Sequence, residues 1–161
     1  MVKNTTQALK WIITILRKHK IKFYISGGFA AKAYGSNREL ADIDIEVHDA
    51  SVFVIQKEVS KYIIYGPKRY IDKEFDLLLM TLKYRGQEID ICGIDSQKLY
   101  DKKLKKWYLD DIDLSKAVKK KVYGLRVPLM PLDKLIAYKK KISREVDIYD
   151  VNALTKLYGS K

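Results

Sequence analysis

The chain has 161 residues and a formal net charge of +12, and 47% of its residues are hydrophobic while 32% are charged. A chain of this length fits a single domain, residues 1–161, that buries roughly 70% of the surface exposed by its unfolded form. The composition excludes an intrinsically disordered protein, since disordered chains combine low hydrophobicity with high net charge.

Signals for export or membrane insertion are not evident in the sequence. No apolar run reaches the length that spans a bilayer, and the apolar stretch 12–16 is too short for a signal peptide. The chain has one cysteine, Cys92, which excludes an internal disulfide and fits a reducing compartment. We therefore predict a cytoplasmic protein with no membrane partner.

The first predicted elements are a helix and a strand. Asn4 can cap the helix, and Leu9, Ile12, Ile13 and Leu16 have the spacing of one buried helical face. An apolar strand is predicted over residues 21–26, where it reaches the pair Gly27 and Gly28. A strand that ends in two glycines at a helix start exposes backbone N–H groups, which is typical of a phosphate site.

The next segment carries two aspartates at a strand start. A short helix rich in alanine is closed by Gly35, and a second apolar strand follows over residues 43–47. Asp42 and Asp44 are two residues apart, so in a strand their carboxylates share one face. Adjacent carboxylates repel each other, and a Mg²⁺ or Mn²⁺ ion between them would offset that repulsion.

Taken together, residues 23–47 resemble the signature of the nucleotidyltransferase superfamily with the DNA polymerase β type fold. That signature is a hydrophobic strand, Gly-Gly, a short helix, an arginine (here Arg38) and Asp-x-Asp. The chain is most similar to the small branch that holds the lincosamide and aminoglycoside nucleotidyltransferases and the abortive-infection type toxins.

The resemblance implies a fold, a cofactor and a substrate. The expected fold is α/β (α+β), a small mixed twisted sheet flanked by helices, with a C-terminal helix pair that closes the cleft. Asp42, Asp44 and a third carboxylate on a later strand would hold two Mg²⁺ or Mn²⁺ ions. The nucleoside triphosphate would be bound by the following residues: Ser26, Gly27, Gly28, Ser36 and Arg38.

The middle of the chain supplies the third carboxylate. A helix is predicted over 51–62 and a short strand over 62–65, broken at Gly66-Pro67. Residues 75–84 and 88–92 then read as a hairpin around Arg85-Gly86-Gln87. In its second strand Asp90 alternates with isoleucines as Asp44 does. The resemblance, in which a third carboxylate lies on a later neighbouring strand, implies that Asp90 is the third metal ligand; the alternative is a solvated hairpin residue.

Residues 98–141 form a basic segment with fourteen Lys or Arg against five Asp or Glu, a net charge of +9. Its aromatic residues Tyr100, Trp107 and Tyr108 fit two interpretations: stacking platforms for RNA, or anchors that hold a surface helix on the core. A strand is predicted over 122–128. We divide the domain into a catalytic sheet core (1–97), a basic connecting segment and strand (98–130) and C-terminal helices (131–161).

The C-terminal helices extend the resemblance. Helices are predicted over 132–142 and 144–158, the second with Ile148, Val151 and Leu154 on its buried face. Their sequences are similar to the endings of the toxin-like branch, which implies that Lys139 meets the triphosphate or the acceptor. Asp147 or Asp150, near Arg144, would orient the bound group or help to deprotonate the acceptor; the alternative is a surface ion pair between Arg144 and Asp147.

The resulting prediction is a metal-dependent enzyme that moves a nucleoside monophosphate to an acceptor hydroxyl and releases pyrophosphate. The charge of the basic segment fits either an RNA or tRNA acceptor, as in toxins that have a cognate antitoxin, or a lysine-rich face exposed to solvent. A protein hydroxyl is a further acceptor class. A small molecule such as an antibiotic is the alternative, for which an acidic pocket is expected but not evident in the sequence. A non-catalytic RNA-binding or partner-binding module on the same fold is the other alternative.

Overall fold

The protein was analysed as a computed structural model that describes residues 2–159. It has five α-helices: α1 (Thr5–Lys18), α2 (Gly27–Tyr34), α3 (Asp49–Gln56), α4 (Leu132–Ile142) and α5 (Glu145–Tyr158). Its nine strands are β1 (Tyr24–Ser26), β2 (Asp42–Val47), β3 (Ile63–Ile71), β4 (Phe75–Tyr84), β5 (Gln87–Gly93), β6 (Lys98–Asp101), β7 (Lys106–Leu109), β8 (Val118–Val122) and β9 (Leu125–Leu129).

All nine strands belong to one mixed, twisted sheet. The strand order is β7-β6-β4-β5-β2-β1-β9-β8, and β3 also pairs with β4. The pairs β2–β5 and β1–β9 are parallel and the others are antiparallel. The sheet, its flanking helices and the C-terminal helix pair confirm the predicted α/β class.

The first helix and the central hairpin form for the reasons that the sequence suggests. Asn4 Oδ1 accepts the N–H of Gln7 at 3.0 Å, which caps the start of α1, and Leu9, Ile12 and Leu16 are fully buried on one face. Arg85 and Gly86 both adopt positive φ in the two-residue turn between β4 and β5. This hairpin brings β5 beside β2.

The surface helix proposed within residues 98–120 is wrong. That segment forms β6 and β7, which are paired antiparallel with Tyr100 opposite Trp107, followed by a 3₁₀ turn and β8. Leu99 and Asp101 are buried, whereas Lys98 is exposed and Tyr100 is half-buried, which is the two-residue alternation of a strand. The strand predicted over 122–128 is instead the end of β8 and most of β9, joined through Tyr123 and Gly124 at positive φ.

Two further boundaries differ from the prediction. The strand expected to break at Gly66-Pro67 continues to Ile71, because its register with β4 shifts between Tyr65 and Lys68 and so accommodates the pair. The helix predicted over 51–62 begins at Asp49 and ends at Gln56, and a 3₁₀ turn follows at Ser60–Tyr62.

The buried face of α5 also differs. Asp147, Asp150 and Leu154 are its buried residues, whereas Ile148 is 51% exposed and Val151 is half-buried. The hydrophobic pattern does not predict this buried face, because Asp147 and Asp150 form ion pairs with Lys139, Arg38 and Arg144 that allow their burial.

The main hydrophobic core extends from Ala8 in α1 to Leu154 in α5. Among residues 2–159, no helix combines the length and the apolar character needed to cross a bilayer.

Candidate active site

Three neighbouring strands bring the predicted metal ligands together. Ser26 in β1 is opposite Asp44 in β2, and Asp44 is opposite Asp90 in β5. Asp42 lies two residues before Asp44 and therefore on the same face of β2. Oxygen atoms of the three aspartates all lie within 4.8 Å of one another. The predicted convergence of the three carboxylates on one site is what the structure shows.

Burial and repulsion by neighbouring carboxylates disfavour the charged forms of Asp44 and Asp90. Burial, and then the charges of Asp42 and Asp90, raise the pKa of Asp44 well above its usual range. Burial raises the pKa of Asp90 to about 6, although Thr81 Oγ1 donates a hydrogen bond to Asp90 Oδ1 at 2.6 Å and lowers that pKa in part. A set of oxygen donors whose charges repel fits a hard divalent cation such as Mg²⁺.

The glycine pair is required by the side chains that lie against it. Gly27 adopts φ +64°, and a Cβ built on it would lie 1.9 Å from Asp44 Oδ2. A Cβ on Gly28 would lie 2.6 Å from an Nη atom of Arg38. The absence of side chains therefore lets the carboxylate of Asp44 and the guanidinium of Arg38 approach the start of α2. The first-turn N–H groups of a helix lack intrahelical acceptors, so this is a suitable place for a phosphate.

Arg38 is held by a residue of the last helix. Its Nε donates to Asp150 Oδ1 at 2.9 Å and its Nη2 to Asp150 Oδ2 at 2.8 Å. Ser36 Oγ donates to the same carboxylate at 2.7 Å and is itself buried. Ser36, which was predicted to bind nucleotide, thus donates a hydrogen bond to Asp150, the residue that holds Arg38.

Lys139 is buried in an ion-pair cluster with two residues of α5. Its side chain is fully buried, and its Nζ lies 2.9 Å from Asp147 Oδ1 and 3.1 Å from Asp150 Oδ2. Arg144 Nε donates to Asp147 Oδ2 at 2.7 Å, which is the expected i,i+3 pair. Asp147, however, is fully buried, so that pair is not the surface contact that the alternative interpretation described.

A cleft of about 520 Å³ opens over the three aspartates. Its lining includes two basic side chains, Arg38 and Arg144, and seven acidic ones: Asp42, Asp44, Glu46, Asp72, Glu88, Asp90 and Asp110. The expectation that the chain has no acidic pocket is therefore wrong. The acids come from strands and loops that are far apart in the sequence, so a net charge of +12 concealed them.

Glu46 is a site residue that the sequence analysis missed. It is 6% exposed, accepts a hydrogen bond from Ser26 Oγ at 2.9 Å, and accepts another from Gln97 Nε2 at 3.1 Å. Burial raises its pKa to about 7. The alternation of Asp42, Asp44 and Glu46 along one strand face could have identified it.

The lining of the cleft also includes an aromatic and apolar surface that was not predicted from the sequence. It consists of Tyr65 and Tyr70 from β3 with Phe75, Leu77 and Leu79 from β4. The guanidinium carbon of Arg144 lies 5.1 Å from the centre of the Phe75 ring. This surface can pack against a ring of a bound molecule.

The basic segment 98–141 does not form one element. Its lysines lie on the β6–β7 hairpin at one end of the strand order, on β8 at the other end, and on α4. Lys102, Lys103, Lys105 and Lys106 are exposed. The segment therefore presents exposed positive charge from separate elements, outside the acidic lining of the cleft.

Comparisons with known proteins agree on the fold. Neither a scan against protein-family models nor a search among curated protein sequences gives a match. Solved structures do match: a candidate nucleotidyltransferase from Thermotoga maritima is 19% identical, with a TM-score of 0.70 over 96% of this chain and 92% of that one.

Two antibiotic-modifying enzymes are also similar in structure. The lincosamide antibiotic adenylyltransferase LnuA, solved with lincomycin bound, is 17% identical and gives a TM-score of 0.62 over 97% of this chain and 99% of its own. ANT(2″)-Ia, solved with adenylyl-2″-tobramycin, is 12% identical and gives a TM-score of 0.59 over 96% of this chain and 89% of its own. The chain therefore has the nucleotidyltransferase fold, and its structural neighbours include the branch that its sequence resembles.

Proposed function

We propose that this protein is a metal-dependent nucleotidyltransferase, which transfers a nucleoside monophosphate from a nucleoside triphosphate to an acceptor hydroxyl and releases pyrophosphate. The observation that carries the proposal is the convergence of Asp42, Asp44 and Asp90 within 4.8 Å beside the glycine pair. A carboxylate cluster next to a phosphate site is the arrangement that metal-assisted phosphoryl transfer requires.

Each group of residues has a separate task in this proposal. Asp42, Asp44 and Asp90 hold two Mg²⁺ or Mn²⁺ ions, and Gly27 and Gly28 bind the β and γ phosphates through their N–H groups. Arg38 lies against Gly28 and offsets charge on the same phosphates. The ions, when bound, supply charge neutralisation at the triphosphate and a lowered pKa at the acceptor hydroxyl.

The acceptor that fits this cleft best is a small, cationic, hydroxylated molecule. Glu46, Asp72 and Glu88 line the cleft in addition to the three metal ligands. These three carboxylates, which are not among the proposed metal ligands, attract amines, and the apolar surface around Phe75 suits the rings of a compact acceptor. Two structural neighbours were solved with lincomycin and with adenylylated tobramycin, which are small molecules.

RNA remains a second candidate acceptor. The exposed lysines of the β6–β7 hairpin support it, because exposed cations can bind a phosphate backbone. An RNA end would still have to approach Glu46, Asp72 and Glu88, whose charges the ions at the three aspartates do not offset. We therefore rank RNA, and with it a toxin role with a cognate antitoxin, below a cationic small molecule.

The test is to incubate the protein with Mg²⁺, each α-labelled nucleoside triphosphate, and one acceptor class at a time. The acceptors are tobramycin, lincomycin, an uncharged sugar and total RNA, with Asp44→Asn as the matched inactive control. We expect label on an amine-bearing acceptor and none on the uncharged sugar. Label on RNA alone would exclude the small-molecule acceptor, and label on the protein itself would indicate a protein hydroxyl. If no acceptor is labelled, the proposed nucleotidyltransferase activity is contradicted.

A further inference from the structure

The C-terminal helices contribute Lys139, Asp147 and Asp150 as buried charged residues next to the candidate active site, and these contact the partly exposed Arg38 and Arg144. Lys139 of α4 is fully buried and contacts Asp147 and Asp150 of α5 at 2.9 and 3.1 Å. A buried lysine is costly unless it is paired, and one carboxylate would be enough to pair it. The second aspartate therefore needs another explanation.

Each aspartate also binds an arginine that lines the cleft. Asp150 accepts two hydrogen bonds from Arg38, at 2.9 and 2.8 Å, in the bidentate geometry that fixes a guanidinium plane. Asp147 accepts from Arg144 Nε at 2.7 Å and from Arg144 Nη2 at 3.2 Å. Lys139 thus contacts the carboxylate partners of both arginines.

The two arginines are restrained from their other sides as well. The Nη2 atom of Arg38 lies so close to Gly28 that a Cβ there would be 2.6 Å away. Arg144 packs on the ring of Phe75, with its guanidinium carbon 5.1 Å from the ring centre. Both side chains line the cleft that contains Asp42 and Asp44.

We infer that Lys139 is a positioning residue for the triphosphate site: through Asp147 and Asp150 it fixes Arg38 and Arg144 as two guanidinium groups that together bind the polyphosphate. This inference rests on the proposed function, and it differs from the direct contact between Lys139 and substrate that the sequence resemblance implies. It also assigns Arg144 to phosphate binding rather than to the acceptor.

Charge and geometry make opposite predictions for one variant. The three cations and two carboxylates of the cluster sum to +1. If the cluster acted only by its charge, Asp150→Asn would raise that sum and strengthen polyphosphate binding. If it acts by positioning, Asp150→Asn releases Arg38 and weakens binding, as Lys139→Met does.

The experiment measures binding of inorganic tripolyphosphate and of a non-hydrolysable nucleoside triphosphate, each with Mg²⁺, by calorimetry. Wild type is compared with Lys139→Met, Asp150→Asn and the milder Ser36→Ala, which removes one hydrogen bond to Asp150. Lys156→Met is the control, since Lys156 is an exposed lysine of α5. Folding of each variant is monitored by circular dichroism.

We expect Lys139→Met and Asp150→Asn each to weaken binding about tenfold or more, which is typical for residues that orient a binding group. Ser36→Ala should have a smaller effect in the same direction, and it still tests the inference if a charge variant does not fold. In turnover, the nucleotide KM should rise with the acceptor KM unchanged, which a general loss of stability would not produce.

The outcomes separate the two proposals. If wild type binds neither ligand, the proposed function fails and this inference fails with it. If wild type binds but the folded Lys139 and Ser36 variants bind equally well, or if Asp150→Asn binds more tightly, the positioning role is contradicted while the proposed function stands.

Discussion

Replacing Asp90 with asparagine should stabilise the metal-free protein while it abolishes transfer. Asp90 is partly buried beside Asp42 and Asp44, and its pKa is about 6 instead of the ordinary 3.8. Between these two pH values the folded protein keeps a proton that the unfolded chain has lost, so stability falls as pH rises. Above pH 6 the charged carboxylate of Asp90 lowers the free energy of unfolding by its full amount, whereas an uncharged asparagine does not.

The size of the effect follows from the displaced pKa. One pKa unit corresponds to about 1.4 kcal/mol, so a carboxyl displaced from 3.8 to about 6 costs the fold at most about 3 kcal/mol at pH 8. Asp90 is not fully buried and shares the repulsion with its neighbours, so we expect about 1–3 kcal/mol. For a domain of this size that is a rise in Tm of a few degrees to about 10 °C.

The assay is thermal unfolding of wild type and Asp90→Asn at pH 4.5 and pH 8, with EDTA and with Mg²⁺. The asparagine variant should be the more stable protein at pH 8 in EDTA, and its advantage should shrink toward pH 4.5. Mg²⁺ should raise the Tm of wild type and leave that of the variant nearly unchanged, because a neutral amide is a poor ligand for a hard cation. If the variant in EDTA is less stable at pH 8 than wild type, the charge-repulsion argument is refuted.

Three further changes test separate parts of the site. Gly27→Ala should lower stability by roughly 1–3 kcal/mol and abolish Mg²⁺ binding, because the new Cβ collides with Asp44. Gly124→Ala is the control, since Gly124 has a similar positive φ but no atom within 4 Å of an added Cβ; it should keep Mg²⁺ binding and measure the backbone cost alone. Glu46→Gln should raise the KM for a cationic acceptor about tenfold and leave the nucleotide KM unchanged, in steady-state kinetics, if Glu46 contacts an acceptor amine; an equal change in both constants argues against that contact. RNA affinity, measured by a filter or fluorescence assay, should fall steeply with salt if the exposed lysines of segment 98–141 bind phosphates, and a flat salt dependence would leave them as a solvated surface.

The acidic residues proposed as metal ligands could be found in the sequence because each lies in a local pattern. Asp42 and Asp44 alternate with isoleucines in one strand, and Asp90 does the same in the second strand of a hairpin that its own turn residues predict. Parallel pairing of β2 with β5 then sets Asp44 opposite Asp90. A two-residue period fixes which side chains share a face within one strand, whereas the place of Asp90 beside Asp44 was implied by the family resemblance and not by the pattern.

The buried face of α5 was not accessible in the same way. Asp147 and Asp150 are buried only because Lys139, Arg38 and Arg144 neutralise them, and Arg38 is 112 residues away from Asp150 in the chain. Helical periodicity ranks residues by hydrophobicity, so it assigned the interior to Ile148 and Val151. Charged partners on distant elements allow Asp147 and Asp150 to be buried instead, and the sequence of α5 alone does not reveal those partners.

The acidic cleft was missed for a related reason. Asp72 lies between β3 and β4, Asp110 lies after β7, and Glu46 and Glu88 are on neighbouring central strands. Only the folded sheet brings these segments to one cavity. Local net charge pointed toward a polyanionic acceptor because the basic residues are contiguous in sequence while the acidic ones are contiguous only in space.

The most direct test of the central claim follows both ends of the triphosphate in one reaction. Wild type and Asp44→Asn are incubated with Mg²⁺, a cationic acceptor and a nucleoside triphosphate labelled at either the α or the γ phosphate. Nucleotidyl transfer predicts that the α label appears on the acceptor, that the γ label is released as pyrophosphate in equal amount, and that folded Asp44→Asn does neither. Transfer of the γ label to the acceptor, release of inorganic phosphate instead of pyrophosphate, or undiminished transfer by Asp44→Asn would contradict the account.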